Sequence, residues 1–343
     1  MKYLLIDGNN LACRSAFANA DLKNSDGILT GVHFGTIRSL LKFKKDFSDY
    51  IFLVAWDGKS KRRHYESQKG VEQEIISSLY KSNRDQTKPE IVNLHEQKEF
   101  LMKGIDTMGI AQIHYSDYEA DDVIFSYAKK LRDEHEVIVI TSDNDYYQLL
   151  HDNVRIYDDM KKVFITKDSF MKETGLTPEQ HVHVGALMGD AGDNIFGVPG
   201  WGVKTGIKEV ISHKDYLGVL NYYNEKYSNL RDDYPDLEDL NELMSIKLKN
   251  DSIKYKEVTV SCPYTGVALA KEQNKIKIPQ SAIWLLLFQK RVHLAYSLKK
   301  MDNIPDLPEI PDKLSKRDDL FEEYLQYYEM NSLSKNYSEF EIG

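Results

Sequence analysis

EVIVITSDND, residues 136–145, joins an apolar run to two acids. Val137 to Ile140 are all β-branched, and the run is too short for a helix, so it reads as a buried strand. In extended geometry residues i and i+2 point the same way, so Asp143 and Asp145 share a side at its carboxyl end. KYLLI (2–6), YIFLVAW (50–56) and IAQIHY (110–115) read as similar strands. Between them, 32–47, 90–108 and 119–133 have helical spacing and length. This alternation implies an α/β fold with a central, mostly parallel sheet flanked by helices. Ligands of such sheets bind beyond the carboxyl ends of the strands. Acids stand at those ends in turn: Asp7, Asp57, Glu119, then Asp143 and Asp145.

The 343-residue chain has 45 Lys plus Arg against 54 Asp plus Glu, a net charge of −9. Its length suggests two or three structural units. No apolar run approaches the ~18 residues of a membrane span, so no membrane partner is expected. The opening apolar stretch is too short for a signal peptide. Cys13 and Cys262 cannot make a disulfide framework, which points to a reducing cytoplasm. The acidic balance argues against nucleic acid at first sight, because DNA binders are usually basic. Charge placement says otherwise. Residues 58–88 carry eight bases and four acids, whereas 302–343 carry eleven acids and four bases. The stretch 58–88 reads neither as a strand nor as a clean helix. Pro305, Pro308 and Pro311 mark an expected linker before a short last helix near 318–328.

YEADDVI puts Glu119, Asp121 and Asp122 in the first turn of a helix, with Glu119 and Asp122 on one face. One such acid would cap the helix. Three repel one another. MGDAGDN adds Asp190 and Asp193, three residues apart. Convergence of most of these acids at one sheet edge would call for divalent cations to offset the repulsion. Oxygen-only donors suit Mg²⁺ or Mn²⁺, and no Cys or His cluster offers a zinc site. A two-cation carboxylate site suits phosphoryl transfer.

The glycine-rich stretch GVPGWGVKTG, 197–206, fails as a nucleotide phosphate loop, because Val203 stands where the motif requires Lys. It fits a hairpin between two short helices, the second starting near Lys204. There, glycines bring backbone amides close to a phosphate. Such a contact reads charge without reading base sequence.

These segments together resemble the 5′-nuclease superfamily: the 5′→3′ exonuclease domain of bacterial DNA polymerase I, bacteriophage flap endonucleases and phage-type ribonuclease H. The matching stretches are DGNNLACRSAF (7–17), TGVHFGTIRSLL (30–41), WDG (56–58), YKSNR (80–84), YEADDVI (118–124), TSDNDYYQLL (141–150) and ALMGDAGDNIFGVPGWGVKT (186–205). They stand in the family's order and cover roughly residues 1–210. MNSLSKNY (330–337) is weakly similar to the end of the polymerase domain.

The resemblance implies a first metal site at Asp7, Asp57, Glu119 and Asp121, with Asp122 completing its motif. It implies a looser second site at Asp145, Asp190 and Asp193, with Asp143 shared. Two Mg²⁺ ions are implied, Mn²⁺ being an acceptable substitute, with K⁺ at the hairpin. Lys81 and Arg84 would meet the scissile phosphate from a helical arch, and Tyr80 would stack on a base. Gly197, Val198, Gly200, Gly202, Lys204 and Thr205 would grip duplex phosphates in a helix–three-turn–helix. Arg14 matches a basic position near the first ligand, and one of Arg62 and Arg63 would touch phosphate. The interval KSKRRHYESQKGVEQEIISS, 59–78, is longer than in polymerase I and would enlarge or disorder the arch.

The expected organisation is an α/β nuclease domain over 1–185 with its arch at 58–90, a duplex-binding region over 186–260, and a helical C-terminal region over 261–343. The expected activity is divalent-metal-dependent removal of 5′ ends and 5′ flaps from DNA, with RNA primers in RNA–DNA hybrids as further substrates. A replication protein at the C-terminal part and a monomeric state are the other expectations. A catalytically silent DNA-structure binder would have lost acids, and a small ribonuclease on the same sheet would lack arch and hairpin. All nine acidic positions are occupied here, and without them bases and acids balance at 45 each.

Overall fold

The computed structural model describes residues 1–228, 254–255, 258–259, 282, 285–286, 288–312 and 314–336. The chain divides into two units, neither of them contiguous. The first is Met1–Lys61, Asp85–Phe170 and Met301–Gly343; the second is Arg62–Arg84 and Met171–Lys300. Packing therefore cuts the chain at places other than 185 and 260. Most of 229–281, including the far end of the expected duplex-binding region, lies outside the described residues.

The first unit is built on a six-stranded sheet. Its strands are β1 (Lys2–Asp7), β2 (Ile51–Trp56), β3 (Ala111–His114), β4 (Glu136–Ile140), β5 (Val154–Asp158) and β6 (Val163–Ile165). The spatial order is β3-β2-β1-β4-β5-β6. The first five run parallel, and β6 pairs antiparallel to β5. Leu4, Leu5 and Ile6 of β1 and Val137 to Ile140 of β4 are almost wholly shielded from solvent. Such burial explains their unbroken apolar runs, where a half-exposed strand would alternate. The unit's helices are α1 (Gly8–Ala18), α2 (Gly31–Asp46), α4 (Pro89–Thr107) and α5 (Ala120–Leu131); α3 (Lys61–Glu72), which comes between α2 and α4 in the chain, belongs to the second unit from Arg62 onward. Over 73–88 the chain is turns and bends, as read, but Lys61–Glu72 is the helix α3. Its polar sequence hid it.

Strand order reverses between β1 and β4, which leave the centre of the sheet toward opposite edges. That switch point is where open parallel sheets form a crevice. Asp7 ends β1 there, and Gly8 follows at once. A Cβ on Gly8 would lie 2.7 Å from Val54 Cγ1 and 2.9 Å from the Ala55 carbonyl, so only glycine lets α1 start this close to β2.

Residues 301–336 are part of this unit. The proline-rich segment is no linker: Tyr127 donates to the Pro308 carbonyl, and Lys130 reaches the Leu307 carbonyl and Glu309. Beyond the segment, Phe321, Leu325, Tyr328, Met330 and Leu333 join one apolar core with Leu4, Ile6, Ile37, Leu40, Trp56 and Leu101.

The second unit holds α6 (Lys167–Thr174) for all but its first turn, then α7 (Pro178–Met188), α8 (Val203–His213), α9 (Tyr216–Lys226) and, after the undescribed residues, α10 (Gln289–Lys299). Pro178 suits the first turn of α7, where its missing N–H has no intrahelical partner. The short strands β7 (Gly189–Asp190) and β8 (Ile195–Phe196) form a hairpin between α7 and α8. Gly189 has φ +75°, and a Cβ on it would lie 2.4 Å from the Gly197 nitrogen. Among the described residues no helix is long and apolar enough to cross a membrane.

Candidate active site

In the first unit the DGNN motif aims and ties the acids. Asp7 caps α1: its Oδ1 accepts the Asn10 N–H at 2.8 Å. Its Oδ2 accepts the Tyr146 hydroxyl at 2.9 Å. Asn9 accepts the Asp57 N–H through its side-chain oxygen, 3.2 Å. Asp57 Oδ1 in turn accepts the Ala120 N–H, 2.8 Å, which fastens the end of β2 to the start of α5.

Tyr146 shows which acids gather. It is fully buried, and its hydroxyl is held well above the usual range, first by burial and then by Asp7, Asp121, Asp143 and Asp57. Asp7 feels the same crowding. Burial, followed by the charge of Asp57, pushes its carboxyl up to about 7, with Asp143 adding to them; the bonds from Asn10 and Tyr146 pull the other way. Asp7, Asp57 and Asp121 are half-buried and Asp143 is exposed, so a cation can reach these crowded carboxylates and offset their repulsion. Their donors are all hard oxygens, which fits Mg²⁺ or Mn²⁺.

The seven first-unit acids do not play one role. Asp143 caps the short helical turn 144–149 by accepting the Asp145 N–H, 2.9 Å. Asp121 Oδ1 accepts the Asp122 N–H, 2.7 Å. Asp122 is wholly buried, and its two oxygens accept the N–H groups of Asp302 (2.7 Å) and Glu119 (3.2 Å). Asp122 therefore braces the first turn of α5 rather than offering open oxygens. Of the acids expected as ligands it is the most enclosed. Arg14 differs from expectation. It bonds Asp159 at 2.7 Å, both side chains mostly buried, so it is committed within the fold.

Two functional residues escaped the sequence reading. Tyr146 is one, although it directly follows the Asp143 and Asp145 pair. Lys98 of α4 is the other: Nζ donates to the Asp57 carbonyl at 3.2 Å and lies 5.3 Å from the Trp56 ring centre. Burial lowers its ammonium pKa, against the pull of Asp57 and Asp7. Nothing in the spacing of α4 separates it from a solvent-facing lysine.

The second unit gathers the YKSNR motif onto the GDAGDN loop. Arg84 bonds Asp193 Oδ1 at 2.5 Å, and the Tyr80 hydroxyl reaches Asp193 Oδ2 at 3.3 Å. The Lys81 N–H donates to the Asp193 carbonyl, 2.9 Å, and Asn83 donates to the Ala191 carbonyl, 2.7 Å. Asp190 Oδ2 receives Lys299 at 2.8 Å. Burial pushes the Asp190 carboxyl up, but Lys299 and the N–H groups of Gly192 and Asp193 outweigh it and hold it below the usual range.

The hairpin exposes Gly200, Gly202 and Lys204, whereas Gly197 and Val198 are buried. Val198 sits inside because its N–H bonds the Leu187 carbonyl, 2.8 Å, at the end of α7. Gly197 and Val198 therefore close the hairpin from inside, away from solvent. Gly200 has φ +78° with open space where a Cβ would stand. Arg62 donates to the Ser297 and Lys300 carbonyls at 2.5 and 2.8 Å, and Arg63 is 1% exposed. One of the two was expected at phosphate; both are held by the protein.

With this geometry, the sequence matches over residues 2–175 the family described as "5′-3′ exonuclease, N-terminal resolvase-like domain". The chain belongs to that 5′-3′ exonuclease family. DNA polymerase I of Bacillus subtilis (strain 168) is 38% identical over 213 residues, 60% of this chain and 23% of the polymerase. The chain thus spans about a quarter of the length of such relatives. The 5′-3′ exonuclease of Buchnera aphidicola is 28% identical over 258 residues, 74% of this chain and 80% of that protein. Among solved structures, the T5 D15 protein co-crystallized with metal ions superposes with a TM-score of 0.55 at 18% identity, over all of both chains. That likeness confirms the exonuclease fold.

Proposed function

We propose that this chain is a divalent-cation-dependent nuclease that hydrolyses phosphodiesters at 5′ ends and 5′ flaps of DNA. The observation that carries it is Asp7 at the switch point of a sheet of this family, its oxygens tied to Asn10 and Tyr146 and its charge crowded by Asp57 and Asp143. Asp7, Asp57, Glu119, Asp121 and Asp143 are the residues we assign to Mg²⁺, with Mn²⁺ accepted on the same oxygens. Asp145, Asp190 and Asp193 are proposed as further ligands on their sequence positions alone. A bound cation of this kind supplies a Lewis acid for the phosphoryl oxygen and makes water a better nucleophile at neutral pH.

The chain's own residues do the rest. Tyr146 fixes the Asp7 carboxylate, and Asn9 and Ala120 fix Asp57, so the acids keep one geometry through turnover. The Lys98 ammonium offsets part of their charge. Exposed Gly200, Gly202 and Lys204, with Thr205 beside them, are proposed to hold duplex phosphates; K⁺ at this hairpin follows from the resemblance. Lys81, Arg84 and Tyr80 are proposed to meet the 5′ strand, a guanidinium or ammonium balancing charge that develops on the phosphate. Backbone grip does not demand deoxyribose, so RNA–DNA hybrid belongs to the proposed substrates. A replication protein partner is a further proposal. A labelled 5′-flap substrate with Mg²⁺ or with EDTA tests the reading. Products that shorten from the 5′ side only with Mg²⁺ support it. Binding without any cleavage would instead favour a silent DNA-structure binder.

A further inference from the structure

Asp190 and Asp193 already have cationic partners inside their own unit. Lys299, at the end of α10, is 8% exposed. Its stem lies across α7 at Gly185, where a Cβ would stand 3.1 Å from Lys299 Cε and 3.7 Å from Cγ. Its Nζ meets Asp190 Oδ2 at 2.8 Å, while Oδ1 accepts the N–H groups of Gly192 (2.8 Å) and Asp193 (3.3 Å). Both oxygens of Asp190 are thus in use. The oxygens of Asp193 are bonded to Arg84 and Tyr80. With its stem packed in a glycine gap, this lysine keeps its ammonium close to Asp190, whereas a surface lysine samples many positions; only the end of the side chain is left to move.

We propose that Lys299 is a built-in competitor for a divalent cation at Asp190, holding the carboxylate in the cation-free protein and yielding it only when a cation displaces the ammonium. The proposal rests on the reading of Asp190 as a cation ligand. It makes Lys299 a positioning residue that sets how weakly the second-unit acids bind Mg²⁺. A lysine with a purely structural role predicts the opposite response, because its loss would disorder Asp190 and weaken cation binding.

The test is Mn²⁺ binding to the full chain, measured by calorimetry and by electron paramagnetic resonance of free Mn²⁺. The Asp190-dependent event is identified as the one lost in Asp190→Asn. In Lys299→Met that event is expected about tenfold tighter than in the unaltered protein, because an attractive charge at contact distance no longer holds the carboxylate. Lys299→Arg is expected to bind as the unaltered protein does. Equal or weaker Mn²⁺ binding by Lys299→Met overturns the proposal, as does the absence of any Asp190-dependent event in both proteins. Removing one partner of a buried pair destabilises. If Lys299→Met fails to fold, Lys299→Gln, which keeps a donor and drops the charge, gives the same comparison. Flap cleavage by the unaltered protein is run in parallel. Its absence with every cation overturns the nuclease reading while leaving the binding comparison to decide on Lys299.

Discussion

Acid weakens the first unit through His33. This α2 side chain is fully buried. Its Nδ1 bonds the Tyr324 hydroxyl, and its ring stacks on Tyr328 with centroids 3.9 Å apart. Burial, only partly offset by Gln97, lowers the imidazole from 6.5 to about 4. Above pH ~6.5 the ring is neutral in the folded and the unfolded chain, so it adds no pH dependence. Between 6.5 and about 4 the unfolded chain takes up a proton that the folded unit refuses, and stability falls as the pH falls. At ~1.4 kcal/mol per pH unit the whole window is worth about 3 kcal/mol, of which about 2 kcal/mol is lost by pH 5. The assay is urea unfolding at about pH 7.5 and pH 5, read by amide exchange in α2 so that the first unit is followed by itself. Carboxylates titrate in the same range, so His33→Gln is the reference. The unaltered protein is expected to lose about 2 kcal/mol more than the variant between the two conditions. Equal losses would refute the argument that a buried neutral imidazole sits in this core.

Three further outcomes are expected. Asp143→Asn lowers flap cleavage more than about a hundredfold while leaving DNA binding in place, measured by gel assay and filter binding; normal turnover by the folded variant would remove Asp143 from the site. Lys204→Ala weakens duplex binding for all sequences and lowers the salt slope by about 1; an unchanged slope would take the hairpin away from the phosphates. Gly104→Ala puts a Cβ 2.3 Å from the Tyr324 ring. It costs about 1–3 kcal/mol by overpacking, seen as a lower melting midpoint, despite the better helix propensity of alanine.

Three strands of the sheet, β1, β2 and β4, were legible because their burial demands near-unbroken apolar runs, and half-exposed β3 was legible from its place between two helical stretches. The remaining two were not. VRIYD is interrupted by Arg155 and ends on Asp158, and VFI is a three-residue edge strand with Val163 and Phe164 exposed. The positions of the acids were legible too, since a parallel sheet fixes where its strand ends lie. Their division of labour was not. Asp122 looks like its neighbours in sequence and differs only because the Asp302 N–H, 180 residues away, covers one oxygen. Lys98 and Lys299 were invisible for the same reason: each is one lysine on a polar helix until distant chain closes over it. The prolines of 305–311 suggested a linker, because composition shows that a segment is not helical but not what it lies against.

The closure of the first unit by residues 318–336 has a consequence for how the chain is made. His33 and Tyr324 are 291 residues apart. A ribosome adds roughly 5–20 residues per second, so α2 waits roughly 15–60 s for the side chains that cover it. Through that interval the surfaces around His33 and Gly104 are open to solvent and to other nascent chains. The first unit draws on residues made before and after Arg62–Arg84 and Met171–Lys300. The order of synthesis thus delays completion of the core beneath the first-unit acids until residues 318–336 have been made.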